Sequence, residues 1–540
     1  MRLLSGCAFA ATLALAASAS AQQPAKPDAA GAAPPSAAAA LAARVGRVSL
    51  VSGKAGFRGP GETPWSDAAI NDPISTGASL RTDPQARAEM RIGADTIDLA
   101  HGTEIAVARL DRQTAEIAVR HGRIDLDIPQ LGAADSVEID FPRGAVWLLK
   151  AGRYDVDAGS GDQPPRIAAY TGGARLVVAG LDVPVKAGDA LVLTGSGPAA
   201  IATEPATGDE FAQWCGSRAV DEAELAAPYY VSPAMTGFAV LDAAGTWRAG
   251  AKFGEVWVPS SLPADWAPFR DGHWRWVPPW GWSWIDDQPW GFAPSHYGRW
   301  AFADGHWVWA PGAFSADPVY APAVVAFLGT PGVGLSYAGG SGPAIAWFPL
   351  APGEAYWPSY TGDLDAIRAL NRGAVADLGI IRVRSDGEPP AEIANAAFAN
   401  RQFASVVPRP VFVAGQAVAP ALLQLPRRRL QNAPAIMGSP RIGRPRPPAP
   451  ARVAVAPAIR PYPPATHIAA LASARTAWAR TVRFAAVRAR NYHRSLLLRV
   501  AHLRGAAYAA PRLRHSIVLR VAGTWHVLHP ARERKREIRR

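Results

Sequence analysis

The sequence predicts a mainly β protein: an antiparallel β-sandwich or roll, then a Trp-rich domain of β-hairpins, then a largely disordered basic tail. Three observations support this prediction. Gly and Pro supply 50 residues each among 540, which favours turns over helices. Apolar and polar residues alternate between residues 44 and 197, and 14 of the 19 Trp residues lie between Trp247 and Trp357.

The alternation marks strands of the first domain. A strand with one buried and one solvated face repeats with a period of two. Apolar residues follow this period over 117–119, 124–128 and 137–141, and Arg123, Asp125 and Asp127 are expected to face solvent. Turn glycines such as Gly122 supply the positive φ of tight hairpins. We therefore expect an antiparallel sandwich or roll over residues 44–197.

Several glycine-based motifs of this region carry a family resemblance. They are Gly46-Arg47-Val48, the segment 71–77, the strand pair around Gly102 and Gly122, and the segment 185–189. Together they resemble the FecR domain, with Asn71-Asp72 standing where Gly-Asp is usual. The resemblance implies a β fold and a periplasmic location, since FecR domains occur in periplasmic sensor and anti-sigma proteins. The cytoplasmic segment and membrane span of those proteins are not recognisable, so sigma regulation by that topology is not expected.

The N-terminus has the features of a secretory signal. Arg2 precedes an apolar stretch over residues 3–17, and Ala19-Ser20-Ala21 precedes Gln22, which predicts a signal peptide over 1–21. An Ala/Pro-rich leader is expected over 22–43. The protein is thus expected in the periplasm, or outside the cell or at the outer membrane. A lipoprotein site at Cys7 would require a different start codon.

A connector is expected over residues 198–245, with a short helix between Asp209 and Ala226 and a role in spacing. It contains Cys215, which is alone once the signal peptide is removed. Its neighbour Trp214 favours burial of Cys215 as a small apolar side chain.

The Trp-rich domain is predicted over residues 246–425. Its motif Asp271-Gly272-His273-Trp274-Arg275-Trp276 recurs 33 residues later, from Asp304 to Trp309. The rows of indoles have two interpretations. They form a compact core of large rings, or they form an exposed platform that stacks on a sugar or a base while polar neighbours such as Arg299 bond its edge. The candidate ligand-binding residues of the second interpretation are Trp274, Trp276, Trp282, Trp284, Trp300, Trp307, Trp309, His273, His296 and His306.

This region also carries a specific set of aromatic motifs. They are Asp265-Trp266-Ala267-Pro268, Trp280 to Trp284, Pro289 to Phe292, His296 to Trp300, and Ala346 to Leu350 followed by Pro352-Gly353-Glu354. They resemble a domain of unknown function that often follows FecR-like domains in exported proteobacterial proteins. The resemblance is expected to continue through Asn400 to Val418. It implies an architecture and an envelope location, and no activity.

We predict a non-enzymatic protein without a cofactor or a metal site. The sequence contains no HExxH motif, paired CxxC, dinucleotide-binding pattern or nucleophile elbow. His273 and His306 occupy equivalent positions of the repeat, which favours repeated structural hydrogen bonds over one metal site. The enzymatic alternative is an envelope glycan hydrolase with carboxylates from Asp286, Asp287 and Glu354.

Residues 426–540 are predicted to form the basic tail. From Arg401 to Arg540 the chain carries 27 Lys or Arg against two acids, whereas the preceding part carries 29 against 42. Its prolines favour disorder, although residues 466–504 fit a basic amphipathic helix. Such a tail attracts polyanions through counterion release. The candidate polyanion-binding residues are Arg427, Arg428, Arg429, Arg534, Lys535 and Arg536.

The predicted function is a binding or scaffold module of the cell envelope. Its β domains are expected to recognise a protein or a glycan, and its tail an anionic membrane surface or lipopolysaccharide. Nucleic acid is not an expected partner of an exported protein. The alternatives from other classes are the glycan hydrolase and an accessory of a FecR-type signalling system.

Overall fold

The computed structural model describes residues 44–161, 163–195, 200–219, 224–250, 252–336, 343–382, 388–443, 517–521 and 524–528. They belong to two compact units, which divide between Val453 and Ala454. The first unit contains both predicted β domains. The signal peptide, the leader, the predicted helix over 466–504 and the cluster Arg534, Lys535 and Arg536 lie outside the described residues.

The first domain consists of two sheets of nine strands. In spatial order, sheet 1 contains β4 (Pro73–Ile74), β1 (Gly46–Ser52), β6 (Arg87–Ile92), β7 (Asp95–Leu99), β10 (Arg123–Ile128), β13 (Gly152–Asp157), β14 (Arg166–Ala169), β17 (Asp189–Thr194) and β18 (Ala200–Pro205). Sheet 2 contains β3 (Ser66–Asp67), β2 (Ala55–Arg58), β5 (Ser79–Thr82), β8 (Glu104–Leu110), β9 (Thr114–His121), β11 (Ser136–Phe141), β12 (Gly144–Leu148), β15 (Gly173–Val178) and β16 (Leu181–Lys186).

The chain builds this sandwich progressively from one edge to the other. Successive hairpins fall alternately on the two sheets, and the described strand pairs of the domain are antiparallel except for β9 with β11. Apolar residues of both sheets meet in one core, which includes Ile117, Leu126 and Ile139. The predicted antiparallel β architecture is therefore confirmed, and the alternation seen in the sequence reflects the faces of these strands.

The Trp-rich domain contains three small antiparallel sheets. The first has the order β19 (Gly245–Gly250), β20 (Gly254–Pro259), β24 (His306–Ala310) and β23 (Arg299–Ala303), and the second is the hairpin of β21 (Gly272–Val277) and β22 (Gly281–Asp286). The third has the order β27 (Ser405–Pro408), β26 (Ala344–Pro349), β25 (Val325–Leu328) and β28 (Ala435–Ile436).

Seven short α-helices lie around these sheets. They are α1 (Glu210–Arg218), α2 (Leu241–Ala244), α3 (Phe292–His296), α4 (Leu364–Asn371), α5 (Ala391–Ala394), α6 (Arg409–Val413) and α7 (Arg427–Asn432) among the described residues. Helices of 3₁₀ type span Ala227–Tyr229, Phe238–Val240, Leu378–Ile380, Arg401–Phe403 and Ala419–Ala421. None of the helices in the described part of the chain is long and apolar enough to cross a bilayer.

The folded region extends beyond the predicted boundary at residue 425. Strand β28 pairs with β25, and the side chains of Leu430, Ile436 and Ile442 are buried. The Ile442 carbonyl also accepts a hydrogen bond from the indole of Trp282. The tail prediction was therefore wrong for residues 426–443, because one apolar face among the arginines packs onto the third sheet. Arg427, Arg428 and Arg429 themselves are exposed on α7.

The connector is also more than a spacer. Asp209 caps α1 by accepting a hydrogen bond from the Ala212 amide, so the predicted helix begins as expected, but it ends at Arg218. Helix α1 covers sheet 1, and Cys215 is buried and free as predicted. Further along the connector, Phe238 and Leu241 enter the core of the Trp-rich domain.

A row of four buried acids crosses sheet 1 beneath α1. Glu89, Asp98, Asp125 and Asp155 are cross-strand neighbours on β6, β7, β10 and β13, and each is at most 3% exposed. The expectation that Asp125 faces solvent was therefore wrong, because a helix from a distant part of the sequence covers this face.

Three of the four acids have arginine partners. Glu89 forms ion pairs with Arg218 and Arg91. Asp125 pairs with Arg153 at 2.9 and 3.1 Å. Asp155 pairs with Arg123 at 2.8 and 3.0 Å. Asp98 has no cation of its own among the described residues and contacts the Cys215 thiol. Burial and the nearby charges of Glu89 and Asp125 raise the pKa of Asp98 to about 7.

The two β domains meet at a buried polar joint. Asn71 has a left-handed backbone (φ 68°) and is fully buried. Its amide nitrogen donates to the carbonyls of Asp286 and Gln288, both at 2.8 Å, and its oxygen accepts from Arg47 at 2.7 Å. Arg47 in turn donates to the Pro289 carbonyl at 2.7 Å. One asparagine side chain thus bonds the sandwich to the loop after β22.

A second arginine strengthens this joint from the opposite side. Arg275 on β21 donates to Asp72 at 2.9 Å and to Glu62 at 3.1 Å, and its guanidinium lies 4.6 Å from the centre of the Phe57 ring. Asp72 is completely buried. Buried charged groups of this kind are stable only when paired and hydrogen-bonded, so the two domains depend on each other at this contact.

The second unit is described as a single antiparallel hairpin. Its strands are β29 (Ile517–Val521) and β30 (Thr524–Leu528), with Ile517 opposite Leu528 and Val521 opposite Thr524. This part of the predicted tail therefore contains regular structure.

The joint leads to a prediction for Asn71. Glycine adopts the left-handed backbone without strain, so Asn71→Gly removes only the side-chain amide. We expect it to lower the free energy of unfolding by about 1–3 kcal/mol, since two buried carbonyls lose their donor. Denaturant unfolding measures this loss, with hydrogen exchange of residues 286–289 as a local readout. Unchanged stability and exchange would contradict the role of the amide.

The acid row leads to a prediction of pH dependence. The pKa of Asp98 is raised on folding, so its proton stabilises the folded state below about pH 4, and this stabilisation is lost as the pH rises through about 7. Asp98→Asn, which keeps the shape without a charge, is expected to raise the free energy of unfolding by about 1–3 kcal/mol at pH 8 and by less at pH 5. Asp125→Asn is the matched control. It deprives Arg153 of its partner and is expected to destabilise at pH 8, and equal effects of both variants would contradict the assignment.

Candidate functional site

The candidate indoles lie in the interior of the Trp-rich domain. Trp274, Trp282, Trp284, Trp300, Trp307 and Trp309 are at most 5% exposed, whereas Trp276 is half-buried. Across β21 and β22, Trp274 faces Trp284 and Trp276 faces Trp282. These rings contact edge to face at 5.6 and 5.7 Å and do not form a flat row. They have the geometry of a core, as in the first of the two interpretations.

Hydrogen bonds hold many of these rings in place. Seven indole nitrogens among the described residues donate to oxygens at 2.9–3.0 Å: Trp247 to Asp242, Trp257 to Leu241, Trp282 to Ile442, Trp284 to Asp286, Trp300 to Pro294, Trp309 to Tyr297 and Trp347 to Phe269. A buried indole usually needs such an acceptor. Because six of the seven candidate rings are buried, Trp276 is the one candidate indole with surface left for the stacking platform of the second interpretation.

The three candidate histidines lie in different environments. His273 is half-buried and 3.8 Å from Asp287, and His306 is exposed, with Nδ1 3.1 Å from the Asp304 carbonyl. His296 is 1% exposed and its Nδ1 donates to the Ala321 carbonyl at 2.7 Å. Burial lowers the pKa of His296 to about 3, so its ring is neutral at physiological pH.

Among the described residues, the histidines do not assemble with acids or Cys into a group of three metal ligands. The group with suitable spacing is Asp98, Asp125 and Cys215, whose ligand atoms lie within 4.8 Å of one another. Arg153 already binds both oxygens of Asp125, and burial raises the pKa of the Cys215 thiol. The chemistry of this group therefore fits a protonated acid beside a thiol better than a cation.

A cavity of about 170 Å³ is lined by the connector and the Trp-rich domain, with Arg112 of the first domain at its edge. His296 and Tyr297, at the end of α3, form its floor together with Arg299 of β23 and Tyr356. We call this cavity the cleft. Its rim has residues from both domains, with Arg112 from the turn between β8 and β9, and Phe314, Asp317 and Arg372 from the Trp-rich domain.

Arg299 is the central charged group of the cleft. Its side chain is almost fully buried and donates to three neutral oxygens, the carbonyls of Glu354 (2.9 Å) and Gly298 (2.8 Å) and the amide oxygen of Asn371 (2.7 Å). Burial lowers the pKa of Arg299 to about 10, which still leaves it charged at neutral pH. Asn371 also donates to the carbonyls of Tyr356 and Ile367, so α4 fixes the position of the guanidinium.

The polar residues of the cleft are only partly those that the sequence suggested. His296 and Arg299 were named as candidates because they lie in an aromatic motif rich in polar neighbours. Arg112, Phe314, Tyr356 and Arg372 were not, because they come from segments separated by up to 260 positions in the chain. The sequence carries no signal that groups them, and their exposure differs: Phe314 is 51% exposed, whereas Tyr356 is buried.

Comparison with known proteins identifies one segment of the chain. Residues 238–354 match the profile of the Family of unknown function (DUF6600). The match includes both copies of the repeat, the indole core around β21 and β22, and both His296 and Arg299. The Trp-rich region is therefore similar to a domain of unknown function, as expected, although the match does not extend to residues 400–418.

Two crystal structures of a protein assigned as an anti-sigma factor from Parabacteroides distasonis ATCC 8503 are similar to part of the chain. Each has 9% sequence identity and a TM-score of 0.23, over 25% of this chain and 63% or 64% of that one. The present chain thus spans less than two thirds of the length of the protein it matches. No curated protein matches the sequence.

Proposed function

We propose that this chain is a non-enzymatic, exported protein of the cell envelope that binds a protein or a glycan through its two β domains. In this proposal the first domain is FecR-like and the Trp-rich domain is fused to it as one body. The observation that carries the proposal is the cleft, which is lined by the connector and the Trp-rich domain and has Arg112 of the first domain at its edge, while the joint at Asn71 holds the two domains together. Ligand sites occur preferentially at such domain boundaries.

Two of the three carboxylates of the hydrolase alternative already have structural partners, whereas Asp287 is half exposed and lies 3.8 Å from His273. The two oxygens of Glu354 accept the amides of Ala351 (2.8 Å) and Ala399 (2.7 Å). The two oxygens of Asp286 accept the Trp284 indole (2.9 Å) and the Gln288 amide (3.0 Å). A carboxylate that is fixed in this way is poorly placed to activate water or protonate a leaving group. This supports binding over hydrolysis.

Charge and sequence support the remaining parts of the proposal. The signal-like N-terminus supports export to the envelope. The excess of 27 basic over two acidic residues from Arg401 onward supports attraction of the tail to anionic lipid or lipopolysaccharide. Arg427, Arg428 and Arg429 are exposed on α7 and add a basic surface next to this tail.

The proposal predicts salt-sensitive binding to anionic surfaces. Full-length mature protein is compared with a variant that ends at Gly443, so that α7 and β28 are retained, in sedimentation with anionic lipid vesicles and with purified peptidoglycan. Binding of the full-length protein to the vesicles is expected to fall by about tenfold or more between 50 and 200 mM salt, because each released counterion adds to the salt dependence. The shortened variant is expected to lose this binding.

The results distinguish binding through the tail from recognition through the β domains. Salt-resistant binding of peptidoglycan by both proteins would support recognition through the β domains. Turnover of peptidoglycan that Glu354→Gln abolishes would favour the hydrolase instead. Binding to neither material, with co-purification of a membrane sensor, would favour the signalling accessory.

A further inference from the structure

We propose that the cleft is a binding site for a small carboxylate-bearing group, such as an acidic sugar residue. This inference rests on the proposed binding function and specifies the chemical class of its ligand. Nothing in the family match assigns a ligand to this part of the domain.

The first step concerns the charge of Arg299. A buried guanidinium is costly unless an opposite charge compensates it. Arg123, Arg153 and Arg218 each bind a carboxylate, whereas Arg299 binds three neutral oxygens and forms no ion pair within the described part of the chain. The Glu354 carboxylate attracts Arg299 electrostatically, but its two oxygens accept backbone amides instead of the guanidinium. Arg47 also binds neutral oxygens, but it does not line the cleft. Arg299 is therefore the buried cation that a ligand can reach.

The second step concerns the rim. Arg112 and Arg372 are exposed there, and Asp317 is the one acid among the lining residues. The ring of His296 is neutral, so it contributes neither a positive nor a negative charge to the lining. The lining thus carries three arginines against one carboxylate. Clefts with one predominant sign of charge concentrate ligands of the opposite sign.

The third step concerns size and shape. A volume of about 170 Å³ is sufficient for a six-membered ring, since an engineered cavity of about 150 Å³ holds benzene. Apolar side chains of Met235 and Val324 line its inner part, and Phe314 and Tyr230 provide aromatic faces nearer the rim. A bare inorganic anion leaves these surfaces without contacts. A carbon skeleton that bears a carboxylate uses both the guanidinium and the apolar wall.

The geometry also indicates how the ligand is held. Asn371 and the backbone carbonyls fix the guanidinium of Arg299 before any ligand arrives, so little side-chain entropy is lost on binding. Tyr230 stacks on Trp247, with ring centres 4.4 Å apart, and this contact stabilises the apolar side of the cleft. The docked sandwich places Arg112 over the rim. Both domains are therefore needed for the complete site.

The test is calorimetric titration of the full chain with D-glucuronate, D-glucose and inorganic phosphate at low ionic strength. Glucuronate is expected to bind at least fivefold more tightly than glucose or phosphate. Arg112→Gln/Arg372→Gln removes two exposed rim charges and is expected to weaken glucuronate binding at least fivefold, without a change in thermal stability. Arg248→Gln, an exposed arginine of β19 outside the cleft, is the matched control and is expected to bind like the unchanged protein. All variants retain the basic tail, so the tail cannot cause a difference between them.

Each other outcome overturns the inference in a distinct way. Equal binding of glucose and glucuronate would refute an anionic ligand and leave the proposed glycan-binding function intact. Tighter binding of phosphate would refute the carboxylate. Equal loss in the rim variant and the Arg248→Gln control would refute the site, because general charge would then explain the binding. Absence of binding for all three probes would refute the inference, while peptidoglycan sedimentation would still test the proposed function separately.

Discussion

The side-chain amide of Asn71 is the contact on which the arrangement of the two β domains depends. A left-handed backbone is required at this position, and glycine is the residue that adopts it most readily. Asparagine also tolerates this conformation and adds a side chain with two donors and an acceptor. Here both donors bond to the carbonyls of Asp286 and Gln288, and the acceptor bonds to Arg47. Asn71 therefore serves both the turn and the joint.

Buried arginines have different roles in the three polar regions of the molecule. Under α1 they pair with a row of carboxylates, and in the joint Arg275 bridges two acids of the other domain. In the cleft Arg299 is hydrogen-bonded by carbonyl and amide oxygens, and the Glu354 carboxylate attracts it without forming an ion pair. The first two arrangements are closed, and the third remains electrostatically open. Arg47 of the joint is likewise bound by neutral oxygens, but it does not line the cleft.

Local patterns of the sequence predicted local structure well. The alternation around Ile117, Leu126 and Ile139 corresponds to buried positions of β9, β10 and β11. The same pattern was misleading for Asp125, because the cover of that face comes from α1, which lies about 90 positions later in the chain. A period of two shows which residues share a face, but not what packs against that face.

The sequence could predict only part of the candidate site, for the same reason. The sequence showed that indoles are concentrated between Trp247 and Trp357, but two interpretations of them remained. Their burial depends on partners such as Phe412 and Ile442, which are remote in sequence. The end of the folded region was placed too early for a related reason. The arginines around Leu430 and Ile436 dominate the composition, whereas a few apolar residues among them determine the packing.

The progressive order of the sandwich leaves it with two ends, and these ends are treated differently. At the end formed by β3 and β4, the neighbouring residues Asn71, Asp72 and Glu62 bond to the Trp-rich domain, while β3 itself is exposed. At the opposite end, β16 carries Pro184 and Lys186, and β18 carries Glu204 and Pro205. Proline cannot donate to a neighbouring strand, and charges resist burial between sheets. The prolines and charges of β16 and β18 thus oppose the addition of a further strand at that end of the hairpin architecture.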